Sequence, residues 1–188
     1  MADTADTADT YIAFLRAINV GGRTVKMERL RELFAELGLT DVRTYIQSGN
    51  VFFRTGELDR AALTARIEAH LAEALGYPVP VMLRTVAEVA EIVERDPFAG
   101  VEVTPELRLC VLFLSEPLPA GTEFPVHSPK GDWDILDATP GAAFVVVHLR
   151  GGRLGTDPST AFPAGYRGRA TARFFHTTVK ILAAARKS

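Results

Sequence analysis

The sequence has a single cysteine, no apolar run long enough to cross a membrane, and no apolar segment behind a basic start. One thiol excludes an intramolecular disulfide and a metal site built on cysteines. That residue, Cys110, lies in the run LRLCVLFL, which predicts a buried, small apolar side chain. The missing apolar segments predict a cytoplasmic protein that has no membrane partner.

The chain also lacks a large net charge, but its charges are unevenly distributed. From Arg150 onward it contains eight Lys or Arg residues and one acid, Asp157, which makes this segment about +7. The total of −2 leaves about −9 for residues 1–149. Two interpretations remain open: the basic segment binds a partner such as nucleic acid, or it docks on the acidic body of its own chain.

The first residues form a polar repeat, in which the triplet ADT occurs three times over residues 2–10. Such a segment has no periodic apolar residues to offset the entropy lost on ordering. We therefore expect residues 1–10 to be a flexible leader.

Residues 11–84 predict an α+β sandwich of ferredoxin-like topology. Two helical patterns end at Gly38 and Gly76, and a Ser48-Gly49 turn joins the two middle strands. Strands are expected at residues 11–17, 42–47, 50–54 and 79–83. The order βαββαβ favours four antiparallel strands with both helices on one face. In that topology the loop after the first strand and the tip of the hairpin lie at the same end of the sheet.

The second half, residues 85–188, predicts a smaller α+β lobe. Thr85 and Glu88 form a capping box that starts a helix. Strands are expected at residues 107–114, 133–138 and 142–149, and a last helix at 171–185.

Polar and basic residues surround a glycine pair after the first strand and continue in the hairpin. They are Arg16, Asn19, Gly21, Gly22, Arg23 and Lys26 in the loop, and Gln47, Ser48 and Asn50 in the hairpin. Backbone amides and a helix N-terminus can bind an anion at such a place. Neither the Walker pattern nor G-x-G-x-x-G fits the loop, so a purely structural glycine turn also explains it. The hairpin residues fit turn chemistry and ligand hydrogen bonding equally.

The predicted last helix places Arg173, Thr177 and Lys180 on one face, because they are spaced four and three residues apart. Its other face, with Phe175, Val179 and Leu182, is expected to enter the core. The first face is then either a solvated surface or a cationic stripe that completes a binding site.

Signatures of catalysis are scarce. The four histidines have no metal-ligand spacing, and no Ser-His-Asp or Cys-His grouping is apparent. Asp132 and Asp134 flank Trp133 on a predicted strand, where they form either a solvated face or a site for a hard cation. We therefore predict no cofactor and no metal, and leave open whether the protein is an enzyme.

Four motifs carry a resemblance to a known family: RAINVGG at 16–22, TYIQSGNVFF at 44–53, DPF at 96–98 and TARFFHTTVKIL at 171–182. The chain resembles the bacterial family known as domain of unknown function 1697. This resemblance implies two α+β lobes, the first ferredoxin-like, and no established activity. The family usually has Gly in place of Ala17, and its last motif has Asn-Trp-Asn where this chain has Phe174, Phe175 and His176.

The leading functional hypothesis is binding of an anionic or phosphate-bearing small ligand at the first-strand loop and hairpin tip. Arg173, Thr177 and Lys180 complete that site if the last helix reaches it. One rival is an enzyme of unknown reaction that uses the same pocket, where a cation stabilises developing negative charge. A second rival is nucleic-acid binding through the basic C-terminal segment, which predicts a steep salt dependence.

Overall fold

The computed structural model describes residues 9–187. Residues 1–8 of the predicted leader lie outside this range. Its last two residues, Asp9 and Thr10, begin the first strand and pair with Thr55 and Arg54. The first strand therefore starts two residues earlier than the sequence indicates.

The chain divides into two compact units and has an α+β fold with antiparallel sheets. The first unit extends to Val89 and includes the C-terminal residues from Ile181 onward, and the second comprises Ala90–Lys180. A single cut near residue 85 does not describe this division, because the end of the last helix belongs with the first unit.

The first unit contains a four-stranded sheet with the order β2-β3-β1-β4, in which all neighbours are antiparallel. Its elements are β1 (Asp9–Leu15), α1 (Met27–Glu36), β2 (Thr40–Tyr45), β3 (Asn50–Thr55), α2 (Arg60–Leu75) and β4 (Val81–Thr85). Element order and strand directions agree with those predicted from the sequence. Gly38 and Gly76 follow α1 and α2 with φ values of 77° and 78°, as expected for left-handed helix ends.

Alternate residues of β1 define the face of this sheet that the helices cover. Tyr11, Ala13 and Leu15 share one buried cluster with Phe34 of α1 and Ile67 of α2. Both helices therefore pack on the same face, as predicted. Full burial of each large apolar side chain contributes roughly 1.5–3 kcal/mol.

The second unit is built on an antiparallel sheet with the order β10-β5-β8-β7-β6, to which β9 adds by pairing with β8. Its strands are β5 (Leu107–Leu114), β6 (Val126–His127), β7 (Trp133–Thr139), β8 (Ala142–Arg150), β9 (Arg153–Leu154) and β10 (Ala170–Phe174). A 3-10 helix covers Pro158–Thr160. The helices α3 (Val86–Glu94) and α4 (Phe175–Ala185) each begin in one unit and end in the other.

The capping box before α3 is confirmed. Thr85 N donates to Glu88 Oε2 at 2.7 Å, and Glu88 N donates back to Thr85 Oγ1 at 3.2 Å. The prediction for Cys110 is also confirmed: the side chain is buried, and burial raises the pKa of its thiol to about 12. This thiol is protonated at neutral pH and is not a nucleophile.

The predicted start of the last helix is wrong. Residues 170–174 form β10, which pairs antiparallel with β5 from Leu114 to Cys110, and α4 begins only at Phe175. The predicted inward face of α4 is wrong at Val179, which is 39% exposed. The buried stripe instead contains Thr178, Ile181, Leu182 and Ala185, the spacing of one helix face. No helix within residues 9–187 has the length and apolarity to span a bilayer.

Candidate functional site

The loop after β1 and the tip of the β2–β3 hairpin are in contact, as the topology predicts. Leu15 N donates to Gly49 O at 2.9 Å, and Asn19 Nδ2 donates to Gln47 O at 3.0 Å. The two segments that contain most of the predicted site residues therefore form one continuous surface at this end of the first sheet. We call it the loop–hairpin surface and define it as residues 16–26 and 46–49.

Asn19 has a structural role in this surface. While its Nδ2 reaches the hairpin, its Oδ1 accepts a hydrogen bond from Val25 N at 2.6 Å. The Asn19 side chain thus links the later part of its own loop, at Val25, to the hairpin turn, at Gln47. Its two polar atoms are occupied within the protein.

Asn50 has a similar role inside the hairpin. Its side chain is fully buried, and Nδ2 donates to Tyr45 O at 3.1 Å and to Ser48 Oγ at 3.0 Å. These bonds close the turn from the inside, so Asn50 belongs to the support of the tip. Gln47 and Ser48 are the exposed residues there.

Four residues of the loop have a left-handed backbone conformation. Gly21 and Gly22 have φ values of 62° and 81°, and Ala17 and Asn19 both have 56°. A left-handed conformation costs a non-glycine residue about 1–2 kcal/mol. Glycine would therefore suit the position of Ala17 better than alanine does.

We expect the Ala17→Gly variant to be more stable than the wild type by up to about 1 kcal/mol. Glycine removes the strain at φ 56°, and part of the gain is offset by the greater entropy of the unfolded chain. Ala69→Gly, at an exposed position inside α2, is the matched control and should instead lose about 1 kcal/mol. Urea unfolding measures both, and a loss of stability in Ala17→Gly would contradict the explanation.

Three cationic side chains belong to the loop–hairpin surface. Arg23 and Lys26 are exposed, and Arg16 is half-buried. Arg23 stacks on Tyr77, with its guanidinium carbon 4.3 Å from the ring centroid. Arg16 N donates to Pro80 O at 2.9 Å, which ties the loop to the segment before β4.

Tyr77 is the residue at this end of the sheet that sequence reasoning missed. It follows Gly76, where α2 ends, and the strand after it, β4, pairs with β1. The sequence did contain a signal that could have identified Tyr77. It is an aromatic residue between the end of a helix and a strand that lies next to the glycine loop. Its ring gives Arg23 a fixed position beside the loop, because cation–π stacking restricts the guanidinium.

Lys26 lies at the N-cap of α1 and makes no capping hydrogen bond with its side chain. The first turn of a helix leaves backbone N–H groups without intrahelical partners and carries the positive end of the helix dipole. The same turn contains the acidic residue Glu28, whose negative charge partly offsets the positive potential of the helix N-terminus.

Arg173, Thr177 and Lys180 do not form a stripe on one helix, which corrects the sequence interpretation. Arg173 lies on β10, is 8% exposed, and donates from Nη1 to Thr171 Oγ1 and Ala172 O, both at 2.9 Å. Thr177 and Lys180 lie on α4, where Thr177 is half-buried and Lys180 is exposed. Burial lowers the pKa of Arg173 to about 10, so the guanidinium remains charged at neutral pH.

The two aspartates around Trp133 are held by neighbouring side chains. Asp132 is buried and accepts hydrogen bonds from Ser128 and Thr156, which corrects the expectation of a solvated face. Asp134 lies between two imidazoles, with His127 Nδ1 and His148 Nε2 each 2.6 Å from one carboxylate oxygen. Burial raises the pKa of Asp134, but the hydrogen bonds from His148 and His127 outweigh it and keep that pKa below its usual value.

Within residues 9–187, no three His, Cys, Asp or Glu side chains are arranged to hold a metal ion.

The C-terminal end of α4 is anchored by a cation from the acidic body of the chain. Arg43 donates from Nη1 to Lys187 O at 2.6 Å and to Ala184 O at 3.3 Å, and from Nη2 to Ala185 O at 3.3 Å. These bonds give donors to carbonyls at and just beyond the end of the helix, in addition to the backbone bond from Lys187 N to Ala184 O. The adjoining cavity, of about 340 Å³, is also lined by Arg54, Arg186 and Lys187.

Comparisons with known proteins agree with the fold. A family model described as "Protein of unknown function (DUF1697)" matches residues 8–142. The structure is similar to that of the conserved bacterial protein SP0830 from Streptococcus pneumoniae, with a TM-score of 0.70 and 23% sequence identity, over 96% of this chain and 99% of that one. No curated protein matches the sequence.

Proposed function

The chain belongs to the DUF1697 family, whose description assigns no activity, and from the geometry of the loop–hairpin surface we propose that the protein binds an anionic or phosphate-bearing small ligand there. The ligand contacts Arg16, Arg23 and Lys26 from the loop and Gln47 and Ser48 from the hairpin tip. Asn19, Asn50 and the two glycines shape the backbone.

The observation that carries this proposal is the pair of hydrogen bonds across the surface, Leu15 N to Gly49 O and Asn19 Nδ2 to Gln47 O. They hold the loop against the hairpin by contacts within the protein. The exposed side chains of Arg23 and Lys26 therefore extend from a backbone that is ordered before any ligand binds. A preformed site avoids the entropy of ordering a loop on binding, which improves affinity.

The N-terminus of α1 adds to the attraction. Its amides receive no cap from the Lys26 side chain, and an anion near a helix N-terminus gains about 0.3–1 kcal/mol. Glu28 in the same turn repels an anion, so the three cations supply most of the attraction. Arg173 is not part of this site, because a buried guanidinium that donates to its own strand is not available to a ligand at the surface.

Thermal unfolding at low salt, against sugar phosphates, nucleotides, carboxylates and short oligonucleotides, tests the proposal. Ligand at about a hundred times its dissociation constant stabilises by roughly 2.7 kcal/mol, which raises Tm by about 5–10 °C in a chain of this size. We expect such a shift with one class of phosphate-bearing small molecule.

The variants Arg23→Gln and Lys26→Gln should each lose most of the shift. Arg66→Gln removes an exposed cation from α2 of the same unit and should keep it. A shift with oligonucleotides alone, falling steeply with salt and unaffected by Arg23→Gln, would favour nucleic-acid binding instead. Equal shifts in all three variants would refute the site.

A further inference from the structure

A cavity of about 350 Å³ lies in the second unit, where β10 passes into α4. Its lining includes three consecutive rings, Phe174, Phe175 and His176, together with Leu109 and Arg108. Small-ligand sites in proteins usually have volumes of about 300–1,000 Å³. This cavity therefore has room for one small organic molecule.

The cavity arises from a mismatch in strand length. The last pair between β10 and β5 is Phe174 opposite Cys110, so residues 107–109 of β5 extend beyond their partner. The chain turns into α4 at Phe175, at the point where a longer β10 would have covered β5. The cavity therefore lies beside an overhang of β5 that belongs to the backbone of the fold.

Neighbouring rings hold the aromatic walls in place. Phe174 and His176 are stacked, with ring centroids 5.8 Å apart and an interplanar angle of 16°. Phe175 meets the buried Phe98 edge-on, at 5.2 Å and 65°. Fixed ring faces of this kind favour a flat aromatic ligand, which gains stacking or edge-to-face contacts in addition to apolar burial.

Arg108 supplies the charge at this cavity. Its Nη1 donates to Leu107 O at 2.7 Å and to Pro105 O at 3.1 Å, which fixes the guanidinium at the start of β5. Within residues 9–187 its Nη2 and Nε have no hydrogen-bond acceptor. Two donors on a planar, positioned guanidinium suit the two oxygens of a carboxylate.

We propose that this cavity binds a small aromatic monocarboxylate, with the ring against Phe174 and Phe175 and the carboxylate on Arg108. A phosphate dianion is disfavoured, because a single arginine beside apolar walls does not offset its desolvation. A neutral aromatic molecule fills the same space without pairing the guanidinium. This site lies in a different unit from the loop–hairpin surface, and neither proposal depends on the other.

Phe174→Asn and His176→Asn are suitable test variants, because each replaces one ring of the cavity wall by a smaller polar side chain.

Calorimetric titration with benzoate and phenylacetate tests the proposal, with benzamide, cyclohexanecarboxylate and inorganic phosphate as comparison probes. We expect saturable binding of the aromatic carboxylates with a dissociation constant of roughly 1 mM or below, which lies within the ligand-efficiency bound for so few atoms. Benzamide should bind at least about tenfold more weakly, because it lacks the charge that Arg108 pairs. Cyclohexanecarboxylate should also bind more weakly, and phosphate should not bind.

Arg108→Gln and Phe174→Asn should each weaken benzoate binding by at least about tenfold. Arg153→Gln, at an exposed cation on β9 of the same unit, should leave it unchanged. Circular dichroism confirms that each variant is folded, and His176→Asn provides a second aromatic deletion if Phe174→Asn is not. Absence of saturation up to about 10 mM, equal binding of benzamide, or full binding by the folded Arg108→Gln variant would overturn the proposal.

Discussion

Replacing Gly49 with alanine is expected to lower the free energy of unfolding by about 3 kcal/mol. Gly49 has a φ of 76°, and a Cβ built on it stands 2.3 Å from Ile18 Cγ2 and 3.0 Å from Leu15 Cβ. Ile18 and Leu15 are both buried, and neither contacting atom is the free end of a flexible chain. The backbone must therefore move, and it is this backbone that carries the bond from Leu15 N to Gly49 O.

Two other glycines separate the steric cost from the conformational one. Gly38 has a φ of 77°, and no atom lies within 4 Å of the position that an alanine Cβ would take, so Gly38→Ala should lose only about 1 kcal/mol. Gly56 has neither a positive φ nor a close neighbour, and Gly56→Ala should be close to neutral. Urea unfolding followed by circular dichroism measures all three. If Gly49→Ala costs no more than Gly38→Ala, the close approach of loop and hairpin is not what requires glycine at this position.

The same substitution tests the link between fold and proposed function. Gly49 belongs to the hairpin segment of the loop–hairpin surface and accepts the hydrogen bond from Leu15 N, so a shift of its backbone separates the hairpin tip from the loop. Gly49→Ala should consequently lose the ligand-induced rise in Tm, whereas Gly38→Ala, beyond the end of α1, should keep it. A full ligand response in a folded Gly49→Ala variant would show that binding does not depend on the contact between loop and hairpin.

Local signals made the first unit predictable. Gly38 and Gly76 end its helices, Ser48 and Gly49 turn its hairpin, and periodic apolar residues define the elements between them. With those elements in order, the handedness and adjacency rules leave few topologies, and the contact between loop and hairpin follows. The location of the candidate site was therefore available from the sequence, although the structural roles of Asn19 and Asn50 were not. Both depend on the directions of amide groups, which spacing does not specify.

The second unit was less predictable because β10 is short and its polar residues are buried. Ala170, Ala172 and Phe174 alternate along the strand and pack against one core, while Thr171 and Arg173 between them are buried as well. Five residues are a short window for this alternation, and the spacing of Arg173, Thr177 and Lys180 also fits a helix. Only the pairing with β5, more than fifty residues earlier in the sequence, decides between the two. Hydrophobic periodicity within a short window of sequence carries no information about such long-range strand pairing.

Arg173→Ala is expected to lower the free energy of unfolding by about 3 kcal/mol. The guanidinium is buried and donates to Thr171 Oγ1 and Ala172 O, and alanine removes both bonds and leaves a cavity. Arg173→Met keeps most of the volume and no longer buries a charge, so it should lose about 1 kcal/mol or less. Arg167→Ala, at an exposed position before β10, should stay within about 0.5 kcal/mol of the wild type.

This series distinguishes a structural arginine from a ligand-binding one. In the structural case Arg173→Met unfolds close to the wild type in urea and keeps the full ligand-induced rise in Tm at the loop–hairpin surface. If Arg173 instead binds the ligand, as the helical spacing first suggested, Arg173→Ala should lose as little unfolding free energy as Arg167→Ala. Both Arg173 variants should then lose the ligand-induced rise in Tm. Because burial holds the pKa of Arg173 at about 10, its charge is present throughout the neutral range. Differences among the variants therefore report packing and desolvation, and a change of protonation does not contribute to them.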